Sequence, residues 1–203
     1  MSFRGDRLPK EQAFLDKLRP ALEALGIRIA PNGAEYTHGD FMEALRQSDD
    51  LTALALRFQP DLVCYLRTQP SRPFYVEAKA GDTIERNAYE QYRRLVELGH
   101  IIAIVFEPFD SWRWNFVEMI LLRRGSTTVN GFPPEHQFAV EDEWIMPRKS
   151  PHWEEIRHLN PQASGTPYRE VLRSGLRPWA DFLSGIQLRL RGPAEVYEQP
   201  SMF

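Results

Sequence analysis

The stretch from Pro60 to Phe106 limits what this 203-residue chain can fold into. It reads PDLVCYLRTQPSRPFYVEAKAGDTIERNAYEQYRRLVELGHIIAIVF. Two short apolar runs, Leu62 to Leu66 and Phe74 to Val76, flank Gln69-Pro70-Ser71-Arg72-Pro73, whose prolines predict a turn between two strands. An amphipathic pattern follows, beginning near Ile84, with Gly81-Asp82-Thr83 as its cap. Ala88, Tyr92, Leu95 and Val96 form its apolar stripe. Gly99 ends it, and Ile101 to Phe106 is the continuous apolar run of a strand covered on both faces. The spacing predicts strand, hairpin, strand, helix, strand.

Chemistry follows from the period of a strand. Side chains alternate faces, so Glu77 and Lys79 share one face and Ala78 takes the other. A hairpin partner that opens at Asp61 brings a second carboxylate beside them. Two carboxylates at one sheet edge suit a hard divalent cation, and Mg²⁺ binds through one or two carboxylates while keeping several waters. A lysine alongside can orient an attacking water or neutralise charge that develops on a phosphoryl oxygen. Lysine is scarce here: Lys10, Lys17, Lys79 and Lys149 are the only ones among 25 basic residues. That one of them stands in this place adds weight to the pattern.

Pro60-Asp61 followed by Glu77-Ala78-Lys79 resembles the signature of the PD-(D/E)xK nucleases, the restriction-endonuclease-like superfamily. Glu-x-Lys alone is expected roughly once by chance in a chain of this length, so the resemblance rests on the whole constellation. It covers roughly residues 8 to 106. It implies an α/β fold with an α-β-β-β-α-β core, a mixed central sheet flanked by helices. It also implies Mg²⁺ dependence, with Mn²⁺ able to substitute, and hydrolysis of phosphodiester bonds in a DNA substrate. By this resemblance Asp61 and Glu77 are metal ligands, the Ala78 carbonyl is a further ligand, and Lys79 is the catalytic lysine. Related nucleases offer a polar side chain from the following helix, and Gln91 matches that position, with Asn87 behind it. The RecB-like subgroup places Tyr four residues after such a Gln; Leu95 stands there, so that subgroup is not indicated. Some members add a glutamate from the first helix; Glu11 matches by position, and Glu23 is a second candidate. A surface hairpin ending in a solvated Glu and Lys is the plainer alternative.

The chain before the hairpin fits the same order. Residues 9 to 25 predict a helix, with Phe14, Leu15, Leu18, Leu22 and Leu25 at helical spacing and Pro20 expected to kink or split it. Gly26 stops it, and Ile27 to Ala30 reads as a strand. Residues 31 to 59 read as an insertion: a turn at Pro31-Asn32-Gly33, a short helix over 38–45 capped by Asp40, and a helix turn or strand over Leu51 to Phe58. Glu35, His38, Asp40 and Glu43 are candidates there for an extra metal ligand, with a solvated loop as the plainer reading.

Residues 1–110 are thus expected to form the nuclease-like core, and 111–203 an elaboration packed on it. Trp112 to Leu122 reads as one or two strands and Arg123-Arg124-Gly125 as a turn. Trp144 and Trp153 are placed either to stack on bases or to pin a long loop. His152 and His158 lie in a pattern that does not suit zinc. Tyr168, Val171, Leu172, Leu176, Trp179, Phe182 and Leu183 predict a helix from Pro167 to Gln187, kinked at Pro178, and Gly192 to Phe203 reads as a tail.

A net charge of −3 excludes a generally basic nucleic-acid coat but leaves room for a local basic groove. One cysteine, Cys64, excludes an intrachain disulfide framework and, with no apolar leader or membrane-length apolar run, predicts a cytoplasmic protein. A DNA endonuclease, with a homodimer cutting two strands as an open option, is the leading expectation. A non-catalytic DNA-binding or assembly protein that retains the fold is the alternative, and an unrelated α/β protein the third.

Overall fold

The computed structural model describes residues 7–32, 48, 50–81, 83–107, 113–116, 122–123, 139–141, 144–159, 165–171 and 176–191. Helix α1 (Arg7–Ala24) buries Phe14, Leu15, Leu18 and Leu22, which recur at helical spacing. Each such burial contributes about 1.5–3 kcal/mol. The helix runs through Pro20 without being split. Pro20 removes one backbone donor, but Asp16, whose carbonyl loses that partner, is exposed to water. Gly26, at φ 78°, then turns the chain in the left-handed region open to glycine.

Strand β1 (Ile27–Pro31) follows, then helix α2 (Leu51–Arg57) within the expected insertion. Asp50 decides the helix over a strand: its Oδ1 accepts the Thr52 N–H at 2.8 Å, an N-cap. Glu35, His38, Asp40, Glu43 and the helix expected over 38–45 lie outside the described residues.

Strands β2 (Leu62–Leu66) and β3 (Gln69–Lys79) form the hairpin, with Leu62 opposite Val76 and Cys64 opposite Phe74. Its turn is Arg67-Thr68, not the proline-rich stretch, which belongs to β3. The prolines are tolerated because Pro70 and Pro73 are exposed and the neighbouring strand pairs with β3 only from Tyr75 onward.

After β3 come β4 (Thr83–Glu85), helix α3 (Arg86–Glu97) and β5 (Ile102–Phe106). The helix starts at Arg86 and not near Ile84, and its N-cap, Glu85, makes no side-chain capping bond. A non-local pairing wins over the local pattern: Thr83, Ile84 and Glu85 lie opposite Glu170, Arg169 and Tyr168. Asp82 lies outside the described residues.

Beyond the core are β6 (Arg113–Phe116), β7 (Leu122–Arg123), β8 (Ala139–Glu141) and β9 (Trp144–Met146). A 3₁₀ turn at Pro147–Lys149, helix α4 (Trp153–Leu159), β10 (Tyr168–Val171), β11 (Arg177–Pro178), a second 3₁₀ turn at Trp179–Asp181 and helix α5 (Phe182–Arg191) complete the series. The single helix expected from Pro167 to Gln187 is therefore two strands and a shorter helix. Tyr168–Val171 is taken up by the edges of β4, β7 and β9, and Pro178 closes an exposed two-residue strand. Arg123, expected in a turn, belongs to β7.

The larger sheet has the order β1-β2-β3-β5-β6-β11. Among the described residues only β3 and β5 pair in parallel, and α3 lies in the crossover between them. Elements α1, β1, β2, β3, α3 and β5 follow the α-β-β-β-α-β order expected from the sequence, with α2 and β4 interposed. On one face Phe74, Val76, Ala78, Ala103 and Val105 pack with α1 and with Phe182, Ile186 and Leu190 of α5. On the other, Ile102, Ile104 and Phe106 pack with Ala88 and Tyr92 of α3, and with Trp144, Val171 and Leu176. Trp144 is buried beside Tyr89, with Arg169 over its ring, so it pins the smaller sheet, β4-β10-β9-β8, rather than offering a face for bases. No helix among the described residues is long and apolar enough to cross a membrane.

Candidate active site

Pairing of Leu62 with Val76 leaves Asp61 and Glu77 as the next opposed residues, at the mouth of the hairpin. They clasp each other through the backbone. The Asp61 N–H donates to Glu77 Oε2 at 3.3 Å, and the Ala78 N–H donates to Asp61 Oδ2 at 2.8 Å. Lys79 Nζ lies 2.5 Å from Glu77 Oε1. Alternation along β3 thus does what the sequence predicts: Glu77 and Lys79 stand on the α3 face, and Ala78 is buried among apolar residues on the other.

Glu77 is 4% exposed and is paired across β5 with the fully buried Ile104. A carboxylate in such surroundings needs partners. It has Lys79, the Asp61 N–H and, from α3, the hydroxyl of Tyr92, which hydrogen-bonds it. Burial by itself would lower the Lys79 pKa; the charges of Glu77 and Asp61, the Glu77 hydrogen bond and Glu85 outweigh it and raise the ammonium above the ordinary lysine range. Burial, and then the same carboxylates, push the Tyr92 phenol well up. At neutral pH Lys79 is therefore a fixed cation that donates hydrogen bonds and attracts negative charge, and Tyr92 is a fixed donor.

Neighbouring strands brace this corner. The Glu107 N–H donates to the Lys79 carbonyl at 3.0 Å, and Glu107 Oε1 meets Lys17 of α1 at 2.9 Å. Asn32, just past β1, donates its N–H to the Asp61 carbonyl at 2.8 Å and its Nδ2–H to the Pro60 carbonyl at 3.2 Å.

Of the residues singled out from the sequence, Asp61, Glu77, Ala78 and Lys79 come together. Gln91 is half-buried on α3 directly before Tyr92. Successive helix residues point about 100° apart, and it is Tyr92 whose side chain bonds Glu77. Asn87, Glu11 and Glu23 are exposed. Helix α1 packs on the sheet face opposite Glu77, and among the described residues no three His, Cys, Asp or Glu side chains gather as a metal group.

Two residues of the site escaped the sequence reading. Tyr92 falls at one apolar position of the α3 stripe; its signal in the sequence is that a buried tyrosine needs a partner for its hydroxyl. Asn32 belongs to a turn signal in the sequence, and nothing local marks its bonds to Pro60 and Asp61.

The donor set fits Mg²⁺ on chemical grounds. Asp61 and Glu77 offer hard carboxylate oxygens without sulfur or imidazole, in the number that ion takes from a protein. Their joint field already holds a cation, the Lys79 ammonium.

No protein-family model matches the chain. No curated protein matches it either. Among solved structures, it is similar to Hjc, a Holliday junction resolvase from the archaeal hyperthermophile Archaeoglobus fulgidus. The TM-score is 0.35 and the identity 16%, over 55% of this chain and 76% of that one.

Proposed function

We propose that this chain is a Mg²⁺-dependent nuclease that hydrolyses phosphodiester bonds in DNA as an endonuclease. The observation that carries the reading is the convergence of Asp61, Glu77 and Lys79 at the hairpin mouth, with Lys79 Nζ 2.5 Å from Glu77 and Asp61 bonded to the Ala78 N–H at 2.8 Å. Asp61, Glu77 and the Ala78 carbonyl would hold the ion, and Mn²⁺ would serve in its place. When bound, the ion supplies Lewis-acid stabilisation of the phosphoryl oxygens and a water of lowered pKa.

The chain's own residues do the rest. Lys79 donates from its ammonium to the attacking water or to a non-bridging phosphate oxygen, where negative charge grows in the transition state. Glu77 keeps that ammonium in place. Tyr92 and Ile104 cover the buried side of Glu77 and exclude water from it, which strengthens every charge interaction there. Gln91, beside Tyr92, is assigned to the phosphate backbone of the substrate. Glu11 is left out of the ligand set.

Nicking of a covalently closed circular plasmid tests the reading, because a closed circle has no ends for an exonuclease. Wild-type protein with Mg²⁺ or Mn²⁺ should nick the circle, EDTA should stop it, and Lys79→Ala should slow it by about 10²–10³-fold. Activity that survives both EDTA and Lys79→Ala overturns the mechanism. Metal binding without cleavage of single-stranded, duplex, flapped or four-way DNA would favour the non-catalytic alternative. A homodimer with one cut per copy belongs to the same proposal; its sign is linear product formed without accumulation of nicked circles.

A further inference from the structure

Asn32 touches the site without offering it a ligand. It is partly buried, and both of its hydrogen bonds go to consecutive carbonyls of a single dipeptide, Pro60-Asp61. The main-chain bond, at 2.8 Å, is open to any residue that is not proline. The side-chain bond, at 3.2 Å, needs a donor of this length, and it spans 28 positions of sequence, so it is not local turn chemistry.

The two bonds act on the peptide that aims Asp61. Fixing the carbonyls of Pro60 and Asp61 fixes the planes of the peptides that follow each of them. From that point Asp61 sends its N–H to Glu77 Oε2 and its carboxylate to the Ala78 N–H. If the dipeptide rotates, both of those bonds stretch, and the separation of the two carboxylates changes with them. Pro60 is buried, so the dipeptide is gripped on its apolar side as well.

We infer that Asn32 is a positioning residue for Asp61: its side-chain amide sets the orientation of that carboxylate toward a divalent cation shared with Glu77. The inference rests on the proposed metal role of Asp61. Partners that orient a metal ligand typically change affinity by about 10–100-fold when removed. Asn32→Leu, close in shape and without a donor, should weaken Mn²⁺ binding by about tenfold, and Asn32→Gln, which keeps the amide, should recover part of it.

Two readouts separate this inference from the nuclease reading. Isothermal titration with Mn²⁺ alone measures affinity in wild type, Asn32→Leu and Asn32→Gln. Amide hydrogen exchange, in EDTA, measures the Ala78 N–H, whose acceptor is the Asp61 carboxylate. The Tyr75 N–H, bonded to the Ile101 carbonyl at 2.8 Å on the same strand, is the internal reference. In Asn32→Leu, Ala78 should exchange about tenfold faster relative to Tyr75, since exchange reports local opening. Equal acceleration at both amides, or none, overturns the positioning role. If wild type takes up no Mn²⁺, the nuclease reading falls, and the exchange ratio still decides whether Asn32 aims Asp61. Mn²⁺ affinity unchanged in Asn32→Leu, with wild type binding normally, also overturns the inference.

Discussion

Phe74, Val76 and Ala78 look toward α1 and α5, while Glu77 and Lys79, alternating with them on the same strand, look toward α3. On the first face these residues sit in a buried apolar cluster, and even Cys64 opposite Phe74 behaves as a small hydrophobe, its thiol pushed up to about 12 by burial. On the second face, apolar residues of α3 and β5 surround a salt bridge, a carboxylate clasp and a tyrosine hydroxyl. Burial is similar on the two sides: Val76 is 0% exposed and Glu77 4%. What differs is what burial demands. An apolar side chain gains by leaving water, whereas a carboxylate loses unless specific partners replace the water. Apolar packing on both faces therefore specifies the fold, and the α3 face in addition keeps costly groups that the fold does not require.

That contrast is broken most strongly by exchanging the consequences of mutation between faces. Phe74→Ala should destabilise the protein by about 3–5 kcal/mol, the usual range for an emptied aromatic core site. Urea unfolding measures it. On the opposite face, Asp61→Asn keeps an acceptor for the Ala78 N–H and should leave the unfolding midpoint close to wild type. Its Mn²⁺ affinity should fall by more than the ~10–100-fold expected for an outer partner. If Asp61→Asn unfolds as readily as Phe74→Ala, the polar face is part of the structural core and the division between faces fails.

Tyr92 lies at the boundary, since its ring belongs to the apolar packing of α3 and its hydroxyl to Glu77. Tyr92→Phe removes only the hydroxyl. It should cost about 1 kcal/mol in stability, as for a single buried hydrogen bond, and should weaken Mn²⁺ binding by about tenfold. A loss of stability with unchanged Mn²⁺ affinity would assign the hydroxyl to folding alone.

The two faces were unequally legible from the sequence. Local periodicity shows which residues alternate, so β2, α1, the stripe of α3 and the shared face of Glu77 and Lys79 could be read directly. Pairings that close over long stretches could not. Ile84 looked like the start of a helix because its local pattern is helical, yet Arg169 holds it in a strand. Tyr168 and Val171 fit a helical stripe equally well, and their partners on β4, β7 and β9 decide otherwise. The hairpin turn was displaced to Arg67-Thr68 because proline signals a turn by its own preference, while an exposed stretch of strand tolerates it. In the site, residue types with chemical motifs were visible. Asn32 and Tyr92 carry no motif, and their roles exist only once β1 and α3 are in place.

The effect expected to be smallest at neutral pH is a dependence of stability on alkaline pH, to which both faces contribute by different causes. On the α3 face, carboxylate charges outweigh burial to raise Lys79, while burial and then the same carboxylates raise Tyr92. On the α1 face, Cys64 is raised to about 12 by burial alone. In each case the folded protein holds a proton that the unfolded chain gives up sooner. The unfolded state therefore binds fewer protons once pH exceeds its own pKa values, about 8.5 for cysteine and 10 to 10.4 for tyrosine and lysine, and stability falls as pH rises. The contribution of Cys64 should begin to fade above about pH 8.5, and those of Lys79 and Tyr92 above about pH 10. Urea unfolding in EDTA from pH 7 to 11.5 separates the two. Cys64→Ala should flatten the early part of the decline, and Lys79→Met with Tyr92→Phe the later part. Some late slope should remain, because the Tyr168 phenol is also raised to about 12, by burial and then by Glu170. If the late slope is the same in Lys79→Met as in wild type, the ammonium is not held by Glu77 and Asp61 in the folded protein, and the polar face loses the interaction on which its chemistry depends.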